Sequence, residues 1–165
     1  CSIYDDLSYL VKKDQIEYPK LPLDLGDYVR SRVDFFTIVA QRVNSQFIFE
    51  MPDEEMIILF NESKLQRIVD NTLTNAIKYS HENEDIFIYL EKKESFFSLK
   101  ISSHSKLIQE PKKIFEEYYR EEESKDGFGL GLNLVKRICK EEDVTIDVKS
   151  TIEKTSFEYI FKGQK

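Results

Sequence analysis

The chain has 165 residues, 41% hydrophobic and 13% aromatic, enough for one domain with its own core. A formal net charge of -7 and a pI near 5.0 exclude a broad basic face, and with it nucleic acid as the main partner. The two cysteines, Cys1 and Cys139, are far apart in sequence and one is terminal, which points to a reducing compartment rather than a disulfide framework, with Cys139 a small core residue on a helix. No stretch approaches the roughly 18 apolar residues of a membrane span, and no secretory signal opens the chain. Beginning at Cys1 rather than Met, it reads as a fragment of a longer polypeptide.

Ile3, Leu7, Leu10 and Val11 recur at helical spacing, so residues 1–13 read as the end of a helix, and Pro19 and Pro22 suit the extended segment that follows. Asp24 can cap a second helix whose apolar positions Val29, Val33, Phe36, Ala40 and Val43 form one stripe for packing on a sheet. Residues 46–51 and 56–60 read as short strands around Pro52, Asp53, Glu54 and Glu55, acids that suit a solvated turn better than a metal site.

Asn61 then caps a helix running to about Tyr79. At 100° per residue, Leu65, Ile68, Val69, Leu73 and Ala76 share a broad apolar face, while Lys64, Arg67, Asn71, Asn75 and Lys78 gather opposite. Asparagine is a weak helix former, so two of them one turn apart inside a helix ask for a reason. Amide oxygens are hard ligands suited to Mg²⁺, and a lysine one turn on can meet a phosphate; the alternative is an ordinary solvated face.

Residues 85–92 and 96–103 are aromatic and β-branched runs that read as an antiparallel hairpin. A helical turn is expected at 114–119 and a polar, mobile lid at 121–129. Three of the five glycines, Gly127, Gly129 and Gly131, fall in the run from Asp126 to Leu132, which feeds a helix over 130–141. Glycine costs entropy when ordered, and the first N–H groups of a helix lack intrahelical partners, so the junction reads either as a phosphate-binding lid or as a plain flexible connector. It fits neither the P-loop nor the dinucleotide fingerprint. Residues 144–149 and 156–161 add two alternating strands. The sum is an α+β two-layer sandwich, with helices on one face of a mixed sheet.

The run from Asn71 to Ser80, the run from Ile114 to Arg120 and the run from Gly127 to Leu132, in that order and spacing, resemble the N, F and G2 boxes of the catalytic and ATP-binding domain of bacterial sensor histidine kinases. The resemblance covers about residues 20–162, and residues 1–13 resemble the end of the preceding dimerisation-domain helix, so 14–165 is the expected catalytic and ATP-binding domain. It implies a Bergerat-type fold, with a mixed sheet of five or more strands covered on one face by about three helices. It also implies transfer of the ATP γ-phosphoryl group to a histidine. By the same resemblance Asn75 holds Mg²⁺ with Asn71 beside it, Lys78 meets phosphate, and Tyr79 lies against adenine. Tyr119 and Arg120 belong to the F box, with Arg120 reaching the γ-phosphate, and backbone groups of Gly127, Gly129, Leu130, Gly131 and Leu132 close over the triphosphate.

Two departures stand out. The family's G1 box, Asp-x-Gly-x-Gly, aligns with Ser103 in the place of the adenine-reading Asp and with Ser105 and Leu107 in the places of glycines. The only histidines, His81 and His104, lie in expected loops, so the phosphoacceptor belongs upstream. The implied partners are the chain's own dimerisation and phosphoacceptor domain, through which it would form a homodimer, and a response regulator. The implied setting is the cytoplasmic part of a membrane-anchored sensor in two-component signalling. Two alternatives stay open: a docking module with a degenerate nucleotide site, and a serine kinase of the anti-sigma type on the same fold.

Overall fold

Proline gives no backbone donor and is at home on a sheet edge, and the chain enters accordingly: Leu21–Asp24 (β1) pairs antiparallel with Ile57–Phe60 (β3), Leu21 opposite Phe60 and Asp24 opposite Ile57, in a two-stranded ribbon apart from the main sheet. The computed structural model describes residues 19–111, 113–116 and 131–164. The helix expected at 1–13 and the lid expected at 121–129 lie outside the described residues.

Asp24 ends β1 and caps Leu25–Gln41 (α1), its carboxylate accepting from the Asp27 N–H at 3.2 Å. The helix buries Val29, Val33, Phe36 and Ala40, the expected stripe without its last member, and adds Leu25 at its start. Val43 falls beyond the helix end and is exposed, because Asn44 next to it turns the chain with φ 58. Among the described residues of this glycine-poor chain, Asn44, Asn83 and Asp143 adopt left-handed backbone, residues whose short polar side chains tolerate that region.

Gln46–Glu50 (β2) runs parallel to Asp85–Lys92 (β4), with β3 and Glu62–Tyr79 (α2) in the connection between them. Phe96–Ser103 (β5), Gly131–Glu141 (α3), Thr145–Ser150 (β6) and Thr155–Lys162 (β7) complete the chain, and the main sheet has five strands in the order β2-β4-β5-β7-β6. All pairs but β2 with β4 are antiparallel, so the sheet is mixed as expected.

Register decides which face is covered. Ile88 stands opposite Ile101 and Leu90 opposite Leu99, and these alternate with outward residues such as Tyr89 and Lys100. The inward rows, continued by Tyr159 and Phe161 of β7, close against Leu65, Ile68, Val69, Leu73 and Ile77 of α2 and Leu134, Val135, Ile138 and Cys139 of α3. Val29, Val33 and Phe36 of α1 join the same core, so the three described α-helices lie on one face of the sheet. Cys139 is a core residue, and burial pushes its thiol up to about 12, out of reach of redox chemistry at neutral pH. The expected helical turn at 114–119 is a 3₁₀ turn, Lys113–Phe115, and residues 117–119 lie outside the described set. No described helix is long and apolar enough to cross a membrane.

Candidate nucleotide site

The site is built on α2, and α2 is fixed from three sides. At its start the Asn61 side chain accepts from the Lys64 N–H at 3.0 Å and donates to the Pro19 carbonyl at 2.9 Å, so one amide caps the helix and anchors the incoming chain. Toward α1, the buried Asp70 carboxylate takes a two-pronged bond from Arg32, Nε to Oδ1 at 2.8 Å and Nη2 to Oδ2 at 2.7 Å. The Arg32 guanidinium lies over Phe35 at 4.5 Å, and its bond to Asp70 holds it above its ordinary value. Burial, and then the Asp70 charge, pushes the neighbouring Tyr28 phenol up to about 12. Toward the sheet, Thr72 donates to the Ile68 carbonyl at 2.7 Å, so in its 2.6 Å contact with the fully buried Tyr159 the phenol is the donor.

The polar face expected on α2 divides in two. Lys64 belongs to the frame: its Nζ lies 2.6 Å from Glu142 and 3.2 Å from Glu141, tying the start of α2 to the end of α3, and Lys20 reaches the same Glu142 at 2.8 Å. Asn71 is buried, with Nδ2 donating to the Arg67 carbonyl at 2.9 Å and Oδ1 turned to Gly131, the first residue of α3. Asn75, one turn on, is half-buried and no described residue hydrogen-bonds its side chain. Lys78 follows with its Nζ 5.8 Å from the centre of the Tyr79 ring, and Tyr79 is 37% exposed. A half-buried amide oxygen beside an ammonium suits a hard cation that carries phosphate oxygens, so the residues fit Mg²⁺. Among the described residues no group of three or more His, Cys, Asp or Glu is placed to hold a metal, and the acids of 52–55 are a turn.

The end of α2 meets the end of β5. Ser80 and Ser105 form an antiparallel bridge, and the His81 N–H donates to the His104 carbonyl at 2.8 Å, which sets Ser103 beside the Tyr79 end of α2. Ser103 is buried on the helix-facing side, opposite Ile86 on one flank and Thr155 on the other. Ser105, in the place of a G1 glycine, is buried and donates to Thr155 Oγ1 at 2.9 Å; Thr155 lies 2.8 Å from Ser150 Oγ, which accepts from the Ile108 N–H at 2.8 Å. A hydroxyl chain therefore pins residues 105–108 to the β6–β7 hairpin where glycines would leave the backbone free. Leu107, in the other glycine's place, is exposed.

His81 is exposed, and His104 Nδ1 lies 3.0 Å from the Glu153 carbonyl; both are in loops, as expected. Gly131 and Leu132 open α3, with Leu132 half-buried. Tyr119, Arg120, Gly127, Gly129 and Leu130 lie outside the described residues. Sequence reading missed the Arg32–Asp70 pair and the Asn71–Gly131 contact. An acid at position 70, directly beside the buried face of a helix, was the available signal for the first; nothing short of the packing gives the second.

Residues 60–164 match the family described as histidine kinase-, DNA gyrase B- and HSP90-like ATPases. The chain is 29% identical over 164 residues to the sensor histidine kinase YcbM of Bacillus subtilis, an alignment covering 95% of this chain and 52% of that protein. It spans about half or less of the curated relatives it matches. The catalytic domain of the histidine kinase ThkA superposes with a TM-score of 0.79 at 21% identity, covering 90% of this chain and 97% of that one. ThkA in complex with the response regulator protein TrrA superposes with a TM-score of 0.80 at 17% identity, covering 98% of this chain and 47% of that one.

Proposed function

Since the chain belongs to the histidine kinase-, DNA gyrase B- and HSP90-like ATPases, we propose that it is the ATP-binding catalytic domain of a sensor histidine kinase, passing the γ-phosphoryl group of ATP to a histidine on its own upstream dimerisation domain. The observation that carries this is the arrangement on α2: Asn75 without a described partner, Lys78 beside it, and the start of α3 set against Asn71 one turn back. Phosphoryl transfer asks a protein for positioning and charge neutralisation rather than a nucleophile, so these groups suffice on this side of the reaction.

In this reading Asn75 would supply an amide oxygen to Mg²⁺, and the ion would offset the negative charge of the phosphates. Lys78 meets a phosphate oxygen, Tyr79 covers the adenine, and Ser103 stands at the base with a neutral hydroxyl. Gly127 to Leu132 close over the triphosphate, and Arg120 reaches its end. The attacking nitrogen belongs to the acceptor histidine, ADP leaves, and neither His81 nor His104 receives phosphate. A response regulator is the next acceptor, in keeping with the ThkA–TrrA complex. The domain works on the cytoplasmic side of a membrane-anchored sensor that dimerises through its upstream domain.

Calorimetric titration of ATP with and without Mg²⁺, followed by incubation with the dimerisation domain of the same full-length protein and γ-labelled ATP, tests this. Mg²⁺-dependent binding and label on the supplied domain are expected, with none on the fragment alone. The buried hydroxyls at Ser103 and Ser105 favour a second reading, a docking module with a weakened base pocket. ATP binding without transfer would decide for that reading, and label on His81 or His104 would refute the first.

A further inference from the structure

Gly131 stands where glycine's backbone freedom is not required. Its φ lies outside the left-handed region, and within a helix alanine is the better former, so local physics alone favours a side chain there. Space forbids it. A β-carbon on Gly131 would lie 2.8 Å from Asn71 Oδ1, closer than real β-carbons approach an oxygen, 3.4 Å from Cγ and 4.0 Å from Cβ. Asn71 is no yielding surface side chain: it is 6% exposed and its Nδ2 is held by the Arg67 carbonyl at 2.9 Å. Swinging the amide aside would leave a buried N–H without a partner.

We propose that Asn71 and Gly131 form an interlock that sets the spacing between α2 and α3 at the nucleotide site, with Asn71 acting as a positioning residue rather than a ligand. The inference rests on the nucleotide reading above. Gly131 and Leu132, the first described residues of α3, carry backbone N–H groups that the reading above sets over the triphosphate. Their distance from Asn75, one turn further along α2, is fixed by how closely Gly131 seats on the Asn71 amide. A residue with a β-carbon at 131 pushes the start of α3 outward, and the phosphate end of a nucleotide loses contact while the base end does not.

The test is a four-protein cycle on the 165-residue chain: parent, Gly131→Ala, Asn71→Ala and the double variant, each titrated with Mg·ATP and with adenosine. In the parent background Gly131→Ala lowers ATP affinity on the order of tenfold and leaves adenosine within about twofold. In the Asn71→Ala background the nearest atom of residue 71 is its β-carbon at 4.0 Å, an ordinary contact, so adding Gly131→Ala costs less than about twofold. Equal losses in both backgrounds, no loss in the parent, or an equal loss for adenosine would overturn the interlock. If the parent binds no ATP, the nucleotide reading has failed and the interlock is judged by thermal unfolding of the same proteins. Gly131→Ala then lowers the midpoint in the parent and not in Asn71→Ala; a uniform rise, as helix propensity alone dictates, overturns it. Should Gly131→Ala not fold, recovery of a cooperative transition in the double variant supports the interlock, and failure to recover overturns it.

Discussion

The first and second halves of α2 carry the same kinds of polar residue, and the fold uses them oppositely. From Lys64 to Thr72 the polar groups are tied within the protein: Lys64 to Glu142, Asp70 to Arg32, Asn71 to the Arg67 carbonyl, Thr72 to Tyr159. From Asn75 onward the helix emerges toward solvent, with the Asn75 amide lacking a described partner and Tyr79 exposed. Buried polar groups must be partnered, so the first half is frame, whereas a half-buried group at the exposed end of the helix, the mouth of the proposed site, can be held ready for a ligand. Breaking the frame should therefore cost stability and little affinity, and altering the mouth should do the reverse.

The largest expected effect is in the frame. Asp70→Ala leaves the Arg32 guanidinium in its part-buried position without its carboxylate, and removing one partner of such a pair costs about 3–5 kcal/mol. Because Arg32 keeps some contact with water, the lower end is expected, read as a fall in the denaturant midpoint. Where the variant is still folded, its Mg·ATP affinity should lie within about threefold of the parent. A tenfold loss of affinity in the folded variant would join Asp70 to the site and erase the division.

Asn75→Ala is the mirror experiment. Its stability should match the parent or exceed it by up to about 0.7 kcal/mol, since alanine is the better helix former. The Mg²⁺-dependent part of ATP binding should fall on the order of tenfold or more, about 1.4 kcal/mol, with part of it kept in Asn75→Asp through a carboxylate oxygen. Unchanged Mg²⁺ dependence in the alanine variant would return Asn75 to an ordinary surface position.

The halves of α2 also show what sequence can and cannot carry. The hairpin of β4 and β5, the caps Asp24 and Asn61, and the inward rows of both helices were legible, because side-chain period and cap chemistry are local. The pairing of β1 with β3 was not, since a four-residue strand beside prolines carries no record of its partner. On a helical wheel Lys64 and Lys78 share one face, and nothing local in the sequence shows that the end of α3 brings Glu141 and Glu142 to Lys64. Asn71 and Asn75 likewise look equivalent until Gly131 is seen against the first. The serines of the G1 region were legible as departures, but their hydroxyl chain through Thr155 and Ser150 is a tertiary fact.

Ser103→Asp works at the mouth with a smaller effect. A charge-assisted bond to an adenine amino group exceeds a neutral hydroxyl's by on the order of 1 kcal/mol, so ATP affinity should rise roughly fivefold or more, and selectivity over GTP with it. The same carboxylate, buried beside Ile86 and Thr155 without a cation, should lower the stability of the nucleotide-free protein. Submicromolar, ATP-selective binding by the parent, or no gain in the variant, would mean that another group reads the base.

The smallest effect is expected at the far end of the frame, where Lys20 and Lys64 meet Glu142. Burial pushes the Glu142 carboxyl up, but the hydrogen bonds from Lys20 and Lys64 outweigh it and hold the group below its ordinary value. A carboxyl depressed in the folded state contributes stability that is present above the unfolded value, about 4.3, and is lost as pH falls through the folded one. Lys20 is half exposed, so solvent screens part of the attraction, and Glu142→Gln should cost about 0.5–1 kcal/mol at pH 7. The parent and the variant should converge in stability as pH is lowered from 7 to 3, and the gap at pH 7 should narrow in 1 M salt. Glu142 lies just past the C-terminal end of α3 and Gly131 opens it, so Mg·ATP affinity should stay within about twofold. A gap that holds constant from pH 7 to 3 would mean that Glu142 acts through packing rather than charge. A loss of affinity as large as that of Asn75→Ala would mean that the tie between the incoming chain and α3 reaches the site, and that the two halves of α2 are not energetically separate.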